Sequence, residues 1–252
     1  NASHLISASK LSSNYMEGAI FAIEGWVPKS QLYRLFPLLK GLGVHAEESR
    51  IAQGEKIPTC MENKGYGKNG EDLVHIYDTP ASQDKDPSSW VFWAFAFFFA
   101  IIISDAGYGM IYLTLALFLK KKFESSKPSI KRFFSLFTMI ASFCIVWGVL
   151  AGSYFGIDLK PKSPLNKVSL TYFLAVKKAD YHIQMKDEVY KEWTSIFPNL
   201  KNAVDGQEFL AEGVSQKGGV LDHVVLKDFK NSIFTEIALL IGVVHICLAF
   251  LR

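Results

Sequence analysis

Three ionisable side chains fall inside the apolar stretches of this chain: Asp105, Glu236 and His245. An ionisable group at membrane depth is costly, turns toward protein or water, and reads by default as part of an ion path or a site between helices. Each of the three also has a structural reading. Asp105 immediately precedes Ala106-Gly107-Tyr108-Gly109, where a carboxylate suits the N-cap of a new helix. Glu236 lies near one end of its apolar run and suits the membrane surface, while His245 suits a hydrogen bond to a neighbouring helix. The structural reading is favoured for Asp105 and Glu236, and the two readings stand level for His245.

No catalytic constellation accompanies them. Walker-type phosphate loops, HExxH and GxSxG are absent from the sequence, and no cofactor motif replaces them. Gly107-Tyr108-Gly109 has the letters of a potassium filter, but such a filter needs a Thr-rich run before it, and Ser104-Asp105-Ala106 stands there. Cys60, Cys144 and Cys247 show no paired spacing, so neither a disulfide framework nor a metal site is implied. With 27 basic and 24 acidic side chains the charge is too balanced for a nucleic-acid binder.

The elements that must position these residues are apolar runs. Trp90–Leu119 contains Asp105 as its only charged side chain. A run of ~18 or more apolar residues is a span candidate, and this one is too long for one snug crossing and too short for two full ones. Asp86-Pro87-Ser88-Ser89 suits a helix start, with Trp90 and Trp93 in an interfacial belt. Residues 120–132 hold six Lys or Arg, the mark of a short cytoplasmic loop. The preceding soluble part has no export signal and is expected on the same side. The run should therefore enter and return as two helices, about 88–103 and 107–121, breaking at Ser104, Gly107, Tyr108 and Gly109; one long tilted helix is the alternative.

A transmembrane helix is expected at 133–156, where Gly148, Gly152 and Gly156 recur at the spacing that lets helices pack closely in lipid. Residues 157–230 form a polar, extracytoplasmic loop, with a helical stretch over 170–196 and a turn over 213–219. A last helix at 231–252 carries Gly242 as a further packing residue. Upstream, residues 1–15 are weakly patterned, 18–28 read as a strand ended by Pro28, and 30–42 as a helix that Pro37 kinks or splits. A second strand is expected at 44–51. Residues 1–53 thus read as part of a cytoplasmic α+β lobe, and 54–87 as a Gly/Pro/Asn-rich linker with a helical turn or two at 71–77. The fold class is a mixed membrane protein: a partial α+β lobe of strand, helix and strand, then an α-helical transmembrane bundle with a broken first helix. Both ends of the chain look cut, as in a fragment.

Taken together, GAIFAIEGWVP, IPTCMEN, EDLVHIYDTP, DPSSW, SDAGYG, WGVLAGSYFG and LLIGVVHI resemble, in that order, the large membrane subunit of V-type and archaeal-type rotary ATPases, called subunit I in prokaryotes and subunit a in eukaryotes. SDAGYG looks like the prokaryotic form of a eukaryotic GDFGHG. The resemblance covers about 16–156 and 232–252, with no counterpart for 157–230, and DPSSW departs from the family's usual Asp-Pro-Thr. It implies a multi-pass stator subunit of the cell (inner) membrane, with the proteolipid ring, peripheral stalks, other ATPase subunits and membrane lipid as partners. It implies no cofactor and no active site in this chain. The family's channel arginine belongs to a later helix, and no arginine here takes its role. Two other classes fit the residues less well: a membrane-anchored sensor whose 157–230 segment binds a ligand, and a secondary transporter, for which no internal repeat is found.

Overall fold

The computed structural model describes residues 13–15, 20–52, 54–123, 127–157, 159–217 and 220–251. Much of the weakly patterned start, and residues 18 and 19 of the expected first strand, lie outside these. A short antiparallel hairpin pairs β1 (Ser13–Tyr15) with β2 (Ile20–Ala22). After Pro28 and a 3-10 turn, α1 (Leu32–Gly41) continues through Pro37 as one helix rather than two. The strand expected at 44–51 is not formed: the segment is irregular, and among the described residues no strand pairs with it. Leu38 on α1 and Leu42 just after it are exposed.

The stretch expected to be a linker contains an ordered helix, α2 (Tyr66–Tyr77), in which Gly67, Asn69, Gly70, Glu71, Leu73 and Val74 are buried. Its glycines, which read as loop formers, are the small residues that permit close packing. A Cβ on Gly70 would lie 1.9 Å from the Ser88 carbonyl oxygen of the next helix. The Tyr66 ring also stacks on Phe92, with centroids 5.3 Å apart.

Next come α3 (Ser88–Ile103), α4 (Ala106–Lys122) and α5 (Pro128–Ala151). Pairs of rings give their directions. Trp93 lies against Phe143 and Phe97 against Trp147, so α3 runs the same way as α5. Tyr112 lies against Phe137 and Phe123 against Phe134, so α4 runs the opposite way. The chain therefore reverses between α3 and α4, and both pack on α5: α3 around Ala96, Ala100, Ile140 and Cys144, and α4 through Gly109 against the α5 backbone. α5 starts with Pro128 in its first turn and ends at Ala151, earlier than the 133–156 span expected, because Gly152 takes a left-handed conformation with φ 67.

Residues beyond α5 build a second core. The helical stretch expected at 170–196 is two helices, α6 (Leu170–Met185) and α7 (Glu188–Ile196), separated by Lys186 in the left-handed region. α8 (Gly206–Glu212) and a hairpin of β3 (Ser215–Lys217) with β4 (Val220–Asp222) follow. The last helix, α9 (Val224–Leu251), begins about two turns earlier than expected, because Val225, Leu226, Phe229 and Ile233 are needed to close this core on Tyr172, Ala175, Leu200 and Phe209. α5 and α9 are long and apolar enough to cross a membrane, with mean hydropathies of 2.2 and 2.3.

Candidate functional site

The break between α3 and α4 is built around one carboxylate. Ser104 leaves α3 in the left-handed region with φ 46, and Asp105 returns to extended backbone as the N-cap of α4. Asp105 Oδ1 accepts from the Tyr108 amide at 3.0 Å, satisfying one of the orphan donors of a helix start. That much is local. The same oxygen accepts from the Phe155 amide at 2.9 Å, and Oδ2 accepts from the Gly156 amide at 2.8 Å and the Ser153 hydroxyl at 3.1 Å. The Ala106 amide donates to the Ser153 carbonyl at 3.0 Å. Asp105, 5% exposed, thus ties the start of α4 to the loop that leaves α5.

Close packing around this carboxylate explains two glycines. A Cβ on Gly148 would lie 2.0 Å from the Ala106 amide nitrogen, and one on Gly107 would lie 2.6 Å from the Phe155 ring. Phe155 itself sits at φ 57, a conformation that a bulky residue keeps only when its surroundings enforce it. The hydrogen bond its backbone amide donates to Asp105 and its edge-on contact with Tyr108, at 5.6 Å, supply that enforcement. Gly109 faces the α5 backbone at Cys144 and Ile145.

The other expected packing glycines behave differently. Gly152 and Gly156 lie beyond α5 with φ 67 each, so they terminate and turn the chain rather than continuing one helix face. A Cβ on Gly242 would meet nothing within 4 Å.

The three ionisable candidates do not converge. Asp105 sits opposite Gly148, three residues or ~5 Å from the end of α5 at ~1.5 Å per residue. Glu236 pairs with Lys178 of α6, and Ser232 also accepts from that lysine at 2.8 Å. His245 contacts two aromatic rings, with Trp90 stacked at 5.7 Å and Phe98 edge-on at 5.1 Å. Each has its own partners, and the arrangement is that of ties between elements. No group of three His, Cys, Asp or Glu residues that could hold a metal occurs among the described residues.

Two ties were not apparent from the sequence. Arg132, at the start of α5, makes a two-pronged bond to Asp72 of α2, at 2.5 and 3.1 Å. Next to it, Glu71 is buried beside Lys68 and Asn63. Burial works against the charged form of Glu71, but hydrogen bonds from Lys68 and Asn63 outweigh it and hold the carboxyl below the usual glutamate range. An acid and a base about sixty positions apart carry no local pattern that would have revealed the first tie.

A reversed pair of apolar helices locked by a buried carboxylate, followed by two helices of membrane-crossing length, makes a mostly helical protein compatible with a membrane setting. The comparisons narrow this. No family model matches the chain. It is 42% identical to V-type ATP synthase subunit I of Chlamydia muridarum and 40% identical to that of Chlamydia pneumoniae, in each case along 100% of this chain and 39% of the relative. It is 28% identical to A-type ATP synthase subunit I of Thermococcus kodakarensis over 54% of this chain and 21% of that protein. The chain belongs to the V/A-type ATP synthase subunit I family. It spans about two fifths of the length of the chlamydial relatives, whose match extends through 157–230.

Proposed function

We propose that this chain is the middle portion of the stator membrane subunit of a V/A-type ATPase, which anchors peripheral stalks beside a proteolipid ring and so couples ATP hydrolysis or synthesis to H⁺ or Na⁺ movement. The match to subunit I along the whole of this chain carries this reading. In this view α3 and α4 enter and return from the cytoplasmic side, α5 crosses outward and α9 crosses back. The start of α3, the end of α4 and the start of α5 share one end of the packed helices, where Lys120, Lys121, Lys122 and Arg132 also lie, which agrees with a cytoplasmic end. Residues 157–230 then face the outside of the cell (inner) membrane. Asp105 holds the returning helix in place and lies off the ion path, since all four of its hydrogen bonds are internal and it sits near the outer end of α5.

The test is a pull-down of the tagged full-length protein in mild detergent, with co-purifying chains identified by mass spectrometry. Catalytic, stalk and proteolipid subunits are expected. Recovery of the chain alone, from membranes that express those subunits, refutes the reading. One observation favours a second reading, a membrane-anchored sensor: the 157–230 segment builds its own core and a groove of ≈ 590 Å³ lined by Lys162, Lys167, Lys177, Asp180 and Asp205. Recovery of the chain alone would favour it.

A further inference from the structure

Helix α6 has two apolar faces where a helix covering a small soluble core needs one. Tyr172, Ala175 and Ala179 fill the core. Leu170, Tyr181 and Met185, at helical spacing on the same side as Lys178, are exposed by 39%, 55% and 61%. Gly206 of α8 packs against the opposite side, at the Val176 carbonyl.

The anchors of α6 locate this second face. The Ser169 hydroxyl donates to the Leu150 carbonyl at 3.2 Å, and the Thr171 hydroxyl to the Ala151 carbonyl at 2.7 Å, fixing the first turn of α6 on the last turn of α5. Two turns later Lys178 reaches Ser232 and Glu236 of α9. Trp147 of α5 lies against Phe234 of α9, with ring centroids 6.3 Å apart, so both anchors stand at one level. α6 therefore runs across the ends of two apolar helices. Its Lys178 side points along them, because His182 meets α9 further back, at Phe229.

The preceding loop adds exposed Phe155, Ile157 and Val168. From 159 to 178 the chain carries five lysines and no acidic residue. A helix that presents apolar side chains and lysines together at such a level matches a bilayer surface, where stems enter the acyl boundary and ammonium groups stay among headgroups.

We propose that α6 is an interfacial helix, with Leu170, Tyr181 and Met185 at the acyl boundary and Lys160, Lys162, Lys167 and Lys177 among anionic phospholipid headgroups. This rests on the reading that α5 and α9 cross the membrane, with which the apolar face of α6 is continuous.

The test places p-benzoylphenylalanine singly at Tyr181, Met185 and Ser195, an exposed residue of α7 outside the lysine-lined groove, and at Val146 and Leu239 on the two spanning helices, in the full-length protein in its own membranes. Adducts formed by illumination are identified by mass spectrometry. Phospholipid-mass shifts are expected at 181 and 185, with none at 195. Peptide adducts at 181 and 185, or a pattern matching that at 195, overturn the proposal. Lipid adducts at 146 or 239 with none at 181 and 185 overturn it alone. Loss of lipid adducts at all four overturns the membrane reading as well. The combined variant Lys162→Gln, Lys167→Gln, Lys177→Gln should lose the excess of anionic over zwitterionic adducts, and an unchanged excess overturns the assignment to anionic headgroups.

Discussion

Replacing Asp105 by alanine removes the acceptor for three backbone amides and one hydroxyl, at 2.8 to 3.1 Å, in a site where the residue is 5% exposed. The Ser153 hydroxyl can turn to another acceptor, but the amides of Tyr108, Phe155 and Gly156 cannot. A buried donor left unpaired costs about 1–3 kcal/mol, and partial access by water places the sum near about 3–6 kcal/mol. That is a large share of the ~5–15 kcal/mol by which folded domains are stable. Asp105→Asn keeps one acceptor oxygen and sets an NH₂ group against an amide donor, so roughly half that loss, about 2–3 kcal/mol, is expected. Asp105→Leu adds bulk to the loss and should impair folding or assembly before it touches ion selectivity. Thermal unfolding of the purified full-length protein, followed by size-exclusion fluorescence, should rank wild type, Asn and Ala in that order, with recovery of the assembled complex falling in parallel. Wild-type melting and assembly for Asp105→Ala, combined with altered ion dependence of pumping, would refute the structural role and return Asp105 to the ion path.

Gly148→Ala forces a methyl group against the Ala106 backbone and should destabilise the full-length protein by about 1–3 kcal/mol, whereas Gly242→Ala should stay within about 0.5 kcal/mol; equal melting of the two variants refutes the close approach. Glu236→Gln should leave ATP-driven ion pumping in inverted vesicles unchanged, since this half-exposed carboxylate pairs with Lys178, and a large loss would make it part of the path. The lowered pKa of Glu71 predicts a pH effect of definite sign. Its contribution is full above about 4.5, the ordinary glutamate value, and is lost as pH falls through the lower value of the folded state. Denaturation midpoints of wild type and Glu71→Gln should therefore differ at pH 7 and converge in acid; a constant gap would show that the charge is not what matters.

The sequence determined what depends on neighbouring residues. The apolar runs, the break at Ser104 and the capping role of Asp105 follow from composition and from side chains acting within one turn of their own backbone. The reversal between α3 and α4 was also within reach, because the charge of residues 120–132 constrains which side of a membrane they occupy. Tertiary structure decided whatever depends on which segments meet. Three of the four donors to Asp105 come from Ser153, Phe155 and Gly156, about fifty positions away, and such a bond leaves no local period. The glycines show the same divide. Gly148, Gly152 and Gly156 share a spacing, yet one is needed for close helix contact and two for backbone with positive φ. Residues 66–70, which hold both glycines of α2, read as linker because small residues satisfy both a flexible loop and a tightly packed helix, and only 71–77 read as a helical turn or two. Only the presence of Ser88 and Phe92 against Gly70, with no room for a Cβ between them, separates the two.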